Sequence, residues 1–117
     1  MLDEKTLPKS FEELVNTSEV PVFVDFWAEW CGPCRMVAPA VKQLSEEFDG
    51  RLLVVKINVD NKPELAQKYG VSGIPAFGLY HKGKTLHQFV GAMPYAMLKQ
   101  NVEKYLPTKE TEVIDAN

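Results

Sequence analysis

The 117-residue sequence lacks several features that would assign a chain to a structural class at once. It has only two cysteines, too few for a disulfide framework, and no apolar run near the ~20 residues that span a membrane. Acidic residues outnumber basic ones by 16 to 13, which argues against nucleic acid as the main partner. The first residues contain no apolar secretory signal. We therefore expect a cytoplasmic protein that binds neither nucleic acid nor membrane, and whose cysteines are catalytic or metal-binding.

The composition is that of one globular domain, with 45% hydrophobic and 25% charged residues and no internal repeat. We predict a single domain over residues 1–107 and a polar C-terminal tail at 108–117. Hydrophobic periodicity and capping residues predict helices at 10–16, 34–48, 61–70 and from 94 onward. Strands rich in β-branched and aromatic residues are predicted at 20–28, 52–59, 76–80 and 85–90.

This order of elements predicts an α/β fold, a mixed sheet with helices on both faces. A helical crossover joins the first two of these strands, which makes them parallel. The last two strands flank a glycine-containing turn and form an antiparallel hairpin.

The segment Trp30-Cys31-Gly32-Pro33-Cys34 lies where a buried strand ends and a helix begins. Cysteines separated by one helical turn can form a disulfide with little backbone movement. A helix N-terminus has free N–H groups and the positive end of the dipole, and both stabilise a thiolate. We predict Cys31, the more exposed sulfur, as the nucleophile and Cys34 as the resolving thiol, while Pro33 stiffens the first turn.

A zinc half-site is the alternative interpretation of this cysteine pair. Four-coordinate zinc requires two further ligands. His81 and His87 are far along the chain and flank the hairpin turn, so their spacing does not fit a zinc finger. We therefore predict that the protein holds no metal.

Asp25 lies inside the first buried strand, and Lys56 lies in the second. Burial raises the pKa of a carboxyl group, which makes Asp25 a candidate proton acceptor for Cys34. The alternative is a structural Asp25–Lys56 ion pair that neutralises two buried charges. The residues alone do not favour either interpretation.

Two further segments could surround the cysteines. Pro75 precedes a strand, and its peptide bond is either an ordinary trans bond or a cis bond that holds the loop against the dithiol. Trp30 is either a docking residue beside the nucleophile or a packing residue. The turn at residues 90–93 is a further candidate for a docking surface.

Taken together, these motifs resemble the thioredoxin family. The match covers residues 10–106 and rests on Val24–Cys34, Lys56–Asp60, Tyr69–Val71, Gly73–Pro75 and Val90–Ala92. The resemblance implies a thioredoxin fold, a central mixed five-stranded sheet flanked by four helices, with an additional edge strand near residues 5–7. It also implies a cis peptide bond before Pro75.

The resemblance further implies a protein-disulfide reductase that acts as an electron carrier and has no cofactor beyond a reversible Cys31–Cys34 disulfide. Asp25 would move protons through water, with Lys56 tuning it, and the Gly32-Pro33 dipeptide is similar to that of reducing thioredoxins. The implied docking surface contains Trp30, Ile74, Pro75, Gly91 and Ala92. The implied partners are disulfide-containing target proteins and a thioredoxin reductase, and we expect a monomer.

The sequence departs from the family pattern at Ala76, where thioredoxins usually carry threonine, and at Gly78. Two other functions are compatible with the residues: an oxidase or isomerase that runs the same chemistry in reverse, and a binding module whose redox activity is incidental. The sequence does not identify the reductase or the target proteins.

Overall fold

The computed structural model describes residues 1–7 and 10–107, so the predicted tail at 108–117 lies outside the described residues. The strands of the described part are β1 (Leu2–Asp3), β2 (Val22–Trp27), β3 (Leu53–Asn58), β4 (Ala76–His81) and β5 (Lys84–Val90). Its helices are α1 (Phe11–Thr17), α2 (Gly32–Glu47), α3 (Pro63–Lys68) and α4 (Tyr95–Glu103). None of these helices is long and apolar enough to cross a membrane.

The strands form one sheet in the order β1-β3-β2-β4-β5, with β2 at the centre. β3 is parallel to both β1 and β2, whereas β4 is antiparallel to β2 and β5. The predicted five-stranded mixed sheet, its parallel crossover and its hairpin are therefore confirmed.

The predicted position of the first edge strand is wrong. The strand lies at Leu2–Asp3, not near residues 5–7, and pairs with Val55 and Lys56 of β3. The Asp3 carboxylate accepts hydrogen bonds from the N–H groups of Lys5 and Thr6, at 2.9 and 3.2 Å. This turn ends the strand before Lys5.

Alternation along β2 divides the core between the two faces of the sheet. Phe23 packs with residues of α2 and α4, including Val41 and Leu98. Val22, Val24 and Phe26 pack on the opposite face with residues of α1. Because alternate residues share a face, Asp25 projects to the same side as Phe23, toward α2 and α4.

Gly78 and Tyr80 occupy neighbouring positions on one face of β4. The Tyr80 ring is 1% exposed, and its hydroxyl accepts a hydrogen bond from Gln88 Nε2 at 3.0 Å. A Cβ atom at position 78 would lie 2.2 Å from the Tyr80 hydroxyl oxygen and 2.5 Å from its ring. The departure from the family pattern at Gly78 therefore provides the space that Tyr80 fills.

Candidate active site

Cys31 and Cys34 lie at the start of α2, directly after the central strand. Cys31 is the N-cap residue, and helical geometry begins at Gly32, two residues earlier than predicted. The two sulfur atoms form a disulfide, with the Cα atoms 5.3 Å apart. Pro33 lies in the first turn, where its missing N–H leaves no helical hydrogen bond unmade.

The Cys31 sulfur caps the helix that follows it. Cys31 Sγ accepts a hydrogen bond from the backbone N–H of Cys34 at 3.2 Å. An N-cap acceptor that satisfies a free N–H stabilises a helix, and negative charge at this position is favoured by the dipole. A thiolate at Cys31 would accept this hydrogen bond more strongly than a neutral thiol.

The predicted difference in exposure between the two cysteines is wrong for the disulfide form. Both residues are 4% exposed, and they pack in one cluster with Ala28, Val59 and Ile74. What distinguishes the cysteines is the capping position of Cys31, not solvent access.

The loop that precedes β4 packs against the disulfide. Ile74 contacts the cysteine cluster, and the Ile74–Pro75 peptide bond is cis. The Pro75 carbonyl accepts a hydrogen bond from the Gly91 N–H at 2.8 Å, which joins this loop to the turn after β5. Ala92, in the same turn, is exposed. The structure thus brings Ile74, Pro75 and Gly91 to the same end of the sheet as the cysteines.

Trp30 projects from the turn between β2 and α2 and is 67% exposed. Its indole Nε1 donates a hydrogen bond to Asp60 Oδ2 at 2.9 Å. The Arg35 guanidinium donates to the backbone carbonyl of Glu29 in the same turn. Asp60 and Arg35 were not predicted as partners of this turn. Asp60 follows β3 directly, and β3 is parallel to β2, so its position was the signal that could have identified it.

Asp25 is a buried carboxyl group with an unsatisfied oxygen. It is 2% exposed, and its Oδ1 has no hydrogen-bond partner. Burial raises the pKa of Asp25 to about 7, and the positive charge of Lys56 acts in the opposite direction. Asp25 therefore titrates near neutral pH, in the range where a general base is most effective.

Lys56 does not neutralise Asp25 as a direct partner. The ion pairs among residues 1–7 and 10–107 are Lys68–Glu12 and Lys99–Glu47. Lys56 Nζ instead lies 4.6 Å from the centroid of the Trp27 ring, within the range of a cation–π contact. β-Sheet register places Asp25 opposite Lys56, so Lys56 acts on the carboxyl group through its field. The charges of Asp25 and Lys56 thus interact with no salt bridge between them among the described residues.

The two histidines are separate from the cysteines. His87 Nε2 lies 3.0 Å from Asn101 Oδ1, and its ring stacks on Tyr105 with centroids 4.0 Å apart. His81 Nε2 lies 3.4 Å from the Glu19 carbonyl. No group of three or more metal-ligating side chains occurs within the described ranges. The prediction that the protein holds no metal remains to be tested by elemental analysis.

The fold and this dithiol define a class of protein, the thiol–disulfide oxidoreductases built on a mixed α/β sheet. Comparison with known proteins identifies the family within that class. The thioredoxin family profile matches residues 4–104. The chain is 52% identical over 98 residues to thioredoxin 1 of Chlorobaculum tepidum, covering 84% of this chain and 97% of that protein.

Two further relatives are also named thioredoxins. The chain is 48% identical over 97 residues to thioredoxin of Synechocystis sp., covering 83% of this chain and 91% of that protein. It is 46% identical over 97 residues to chloroplastic thioredoxin M-type of Pisum sativum, covering 83% of this chain and 56% of that protein. The chain belongs to the thioredoxin family. It is a thiol–disulfide oxidoreductase with a redox-active dithiol at Cys31 and Cys34 and acts on protein disulfides.

Proposed function

We propose that the chain works as a disulfide reductase and electron carrier, with Cys31 as the attacking thiolate. The observation that carries this proposal is the N-cap position of Cys31, whose sulfur accepts the Cys34 N–H. In the reduced protein the same hydrogen bond would favour the Cys31 thiolate over the thiol. Cys34 lies inside the first turn and is placed to attack Cys31 from one turn away.

The exchange proceeds in two steps. The Cys31 thiolate attacks one sulfur of a target disulfide, and the other target sulfur leaves as a thiolate that takes up a proton. Cys34 then loses its proton and attacks Cys31 Sγ, which closes the intramolecular disulfide and releases the second target thiolate. The target gains two electrons and two protons. A thioredoxin reductase then supplies two electrons that reduce the Cys31–Cys34 disulfide for the next cycle.

Asp25 is the proposed acceptor for the Cys34 proton. Its buried carboxyl group has an unpaired oxygen and a pKa raised by burial to about 7. We propose that the proton reaches it through water, and that the charge of Lys56 limits how far this pKa rises. The pair therefore has a role in proton transfer rather than in holding the sheet together.

The proposed docking surface consists of Trp30, Ile74, Pro75, Gly91 and Ala92. Its support is the packing of Ile74 on the cysteines, the Pro75–Gly91 hydrogen bond and the exposure of the Trp30 ring. Exposed Val90 extends the surface along β5. A target would lie across this end of the sheet with its disulfide above Cys31.

The domain extends over residues 1–107 in this proposal, and the chain works as a monomer in the cytoplasm. The core supports the boundary, since Leu106 still packs against it. Some relatives are named chloroplastic, so antibody localisation in cells of the source organism is the test of the compartment.

Trapping of mixed disulfides tests the assigned roles. Reduced Cys34→Ser should form a covalent adduct with insulin, because Cys31 attacks and no thiol resolves the product. Cys31→Ser should form little adduct under the same conditions. Mass spectrometry of non-reduced samples measures both, and equal trapping by the two variants would contradict the assignment.

A further inference from the structure

A chain of hydrogen bonds connects the N-terminal segment to the turn that follows β3. Glu4 Oε2 accepts from the backbone N–H of Asn58 at 3.3 Å, and Glu4 Oε1 accepts from Asn61 Nδ2 at 3.1 Å. The parallel register of β1 and β3 places Asp3 beside Lys56, which brings Glu4 alongside the end of β3. One carboxylate therefore holds both ends of a short turn.

Asn58 organises the turn from within. It is a buried polar residue, and its Oδ1 accepts the backbone N–H of Asp60 at 2.9 Å. Its carbonyl accepts the N–H groups of Asn61 and Lys62, at 3.1 and 3.0 Å. These bonds form a compact Asx turn that fixes the backbone of Asp60.

Asp60 transmits this geometry to Trp30. Its Oδ2 accepts the Trp30 indole N–H at 2.9 Å, although both side chains lie at the surface. An indole that is 67% exposed has few packing contacts to select one rotamer, so this hydrogen bond has a large share in orienting the ring. The orientation of Trp30 depends on the position of Asp60, and that position depends on the turn.

Within the turn, packing is concentrated at Val59, which contacts the core and whose N–H donates a hydrogen bond to the Trp27 carbonyl at 2.9 Å. Asp60 and Asn61 are exposed, and α3, which follows directly, contains no fully buried residue. The N-cap residue of α3, Lys62, makes no side-chain capping hydrogen bond. The two hydrogen bonds to Glu4 therefore add to the anchor at Val59, and one of them holds the exposed Asn61 side chain.

We propose that Glu4 is a positioning residue for protein targets, acting through Asn58 and Asp60 to fix the indole of Trp30. This inference rests on the proposed docking role of Trp30. A ring held in its docking orientation before a target arrives loses less conformational entropy on binding. Glu4 contributes to the recognition of large substrates and makes no contribution to the exchange between sulfur atoms.

Two substitutions at Glu4 separate its hydrogen bonds. Glu4→Ala removes both acceptors, and Glu4→Gln keeps one acceptor oxygen and replaces the other by a donor. Glu64→Ala is the matched control. Glu64 is an exposed acidic residue in the first turn of α3, so this substitution removes the same charge without touching the turn after β3. Thermal unfolding of each variant shows whether it remains folded.

The first measurement observes the indole directly. The Trp30 Nε1–H resonance, assigned by its loss in Trp30→Phe, should shift and exchange faster with water in Glu4→Ala. The change should be smaller in Glu4→Gln and absent in Glu64→Ala. An unchanged Trp30 resonance in a folded Glu4→Ala variant would overturn the proposal, even if the variant were less stable.

The second measurement compares substrates of different size. Pre-reduced Glu4→Ala should reduce insulin about three- to tenfold more slowly, the effect of about one net hydrogen bond. Its reaction with bis(2-hydroxyethyl) disulfide, which is too small to reach the Trp30 ring and the loops together, should be unchanged. Equal slowing with both substrates would overturn the proposal, because it would indicate an altered dithiol.

Trp30→Ala distinguishes this inference from the docking proposal on which it rests. If Trp30→Ala slows insulin reduction and Glu4→Ala does not, the role of Glu4 is wrong and the docking surface stands. If Trp30→Ala reduces insulin at the wild-type rate, the docking role of Trp30 is overturned, and with it the effect of Glu4 on targets.

Discussion

Asp25 makes the stability of the domain depend on pH. Its pKa is about 7 in the folded protein and near 3.8 when the chain is unfolded. The folded state therefore binds the proton more tightly, and the resulting stabilisation is complete below about pH 4 and is lost as the pH rises through 7. The free energy of unfolding of the disulfide form should fall by up to roughly 4 kcal/mol across this window.

Asp25→Asn should remove this pH dependence, because the amide does not titrate. At neutral pH the variant should be as stable as the parent or more so, since it no longer buries a charge without a direct partner. Urea unfolding at a series of pH values measures both effects. A less stable variant at neutral pH would show that the Asp25 charge is structurally required.

The same substitution should slow the exchange reaction in a pH-dependent way. Above about pH 7 the Asp25 carboxylate is available to take the proton from Cys34, so the parent should exceed Asp25→Asn by about tenfold or more. Below this pH the carboxyl group is protonated in the parent, and the two rates should converge. Stopped-flow single-turnover reduction of insulin by each protein gives the ratio of the two rates at each pH. A ratio near one at all pH values would contradict the role of Asp25.

The packing of strand β4 requires glycine at position 78, beside the buried Tyr80 ring. Gly78→Ala should destabilise the protein by about 1–3 kcal/mol, because the added Cβ would overlap the buried Tyr80 ring and displace it from Gln88. Gly73→Ala is the control, since a Cβ there would meet only Val90 at 3.9 Å. Thermal unfolding compares the two variants. Equal stability would show that the Tyr80 ring has room to move.

The elements with strong periodicity could be predicted from the sequence, and those held by single contacts could not. β2 and β3 have apolar residues on both faces, and this is typical of strands buried in a parallel arrangement. β1 has two residues and is ended by the Asp3 turn, a local hydrogen-bonding pattern with no hydrophobic period. Helix α2 starts two residues before its periodic apolar pattern. The N-cap acceptor that begins it is the Cys31 sulfur, not one of the oxygen-bearing residues that usually mark a helix start.

The same distinction applies to the site. Cys31, Cys34 and their helix N-terminus follow from a contiguous motif. The Trp30–Asp60 hydrogen bond joins residues 30 positions apart, and Glu4 and Asn58 are 54 apart. Side-chain direction over such separations depends on strand register, which a sequence pattern fixes only approximately. The contact of Lys56 with the Trp27 ring is a consequence of the same kind.

At the scale of the whole molecule, the domain boundary can be tested by truncation. A chain that ends at Pro107 should unfold at the same temperature as the full chain and keep its activity, because every residue of the described core is retained. A chain that ends at Lys104 should be less stable, since it loses buried Leu106 and the Tyr105 ring that stacks on His87. Calorimetry of both forms measures the difference. A marked loss of stability on cutting at Pro107 would place residues 108–117 within the folded domain.

The end of the sheet where the site lies is assembled from segments that leave the ribosome at different times. Residues 31 and 34 are synthesised before the loop that carries Pro75 and before the turn at Gly91. A nascent chain therefore exposes both thiols before the proposed docking surface has formed. If that surface discriminates between partners, discrimination begins only when β4 and β5 have joined the sheet.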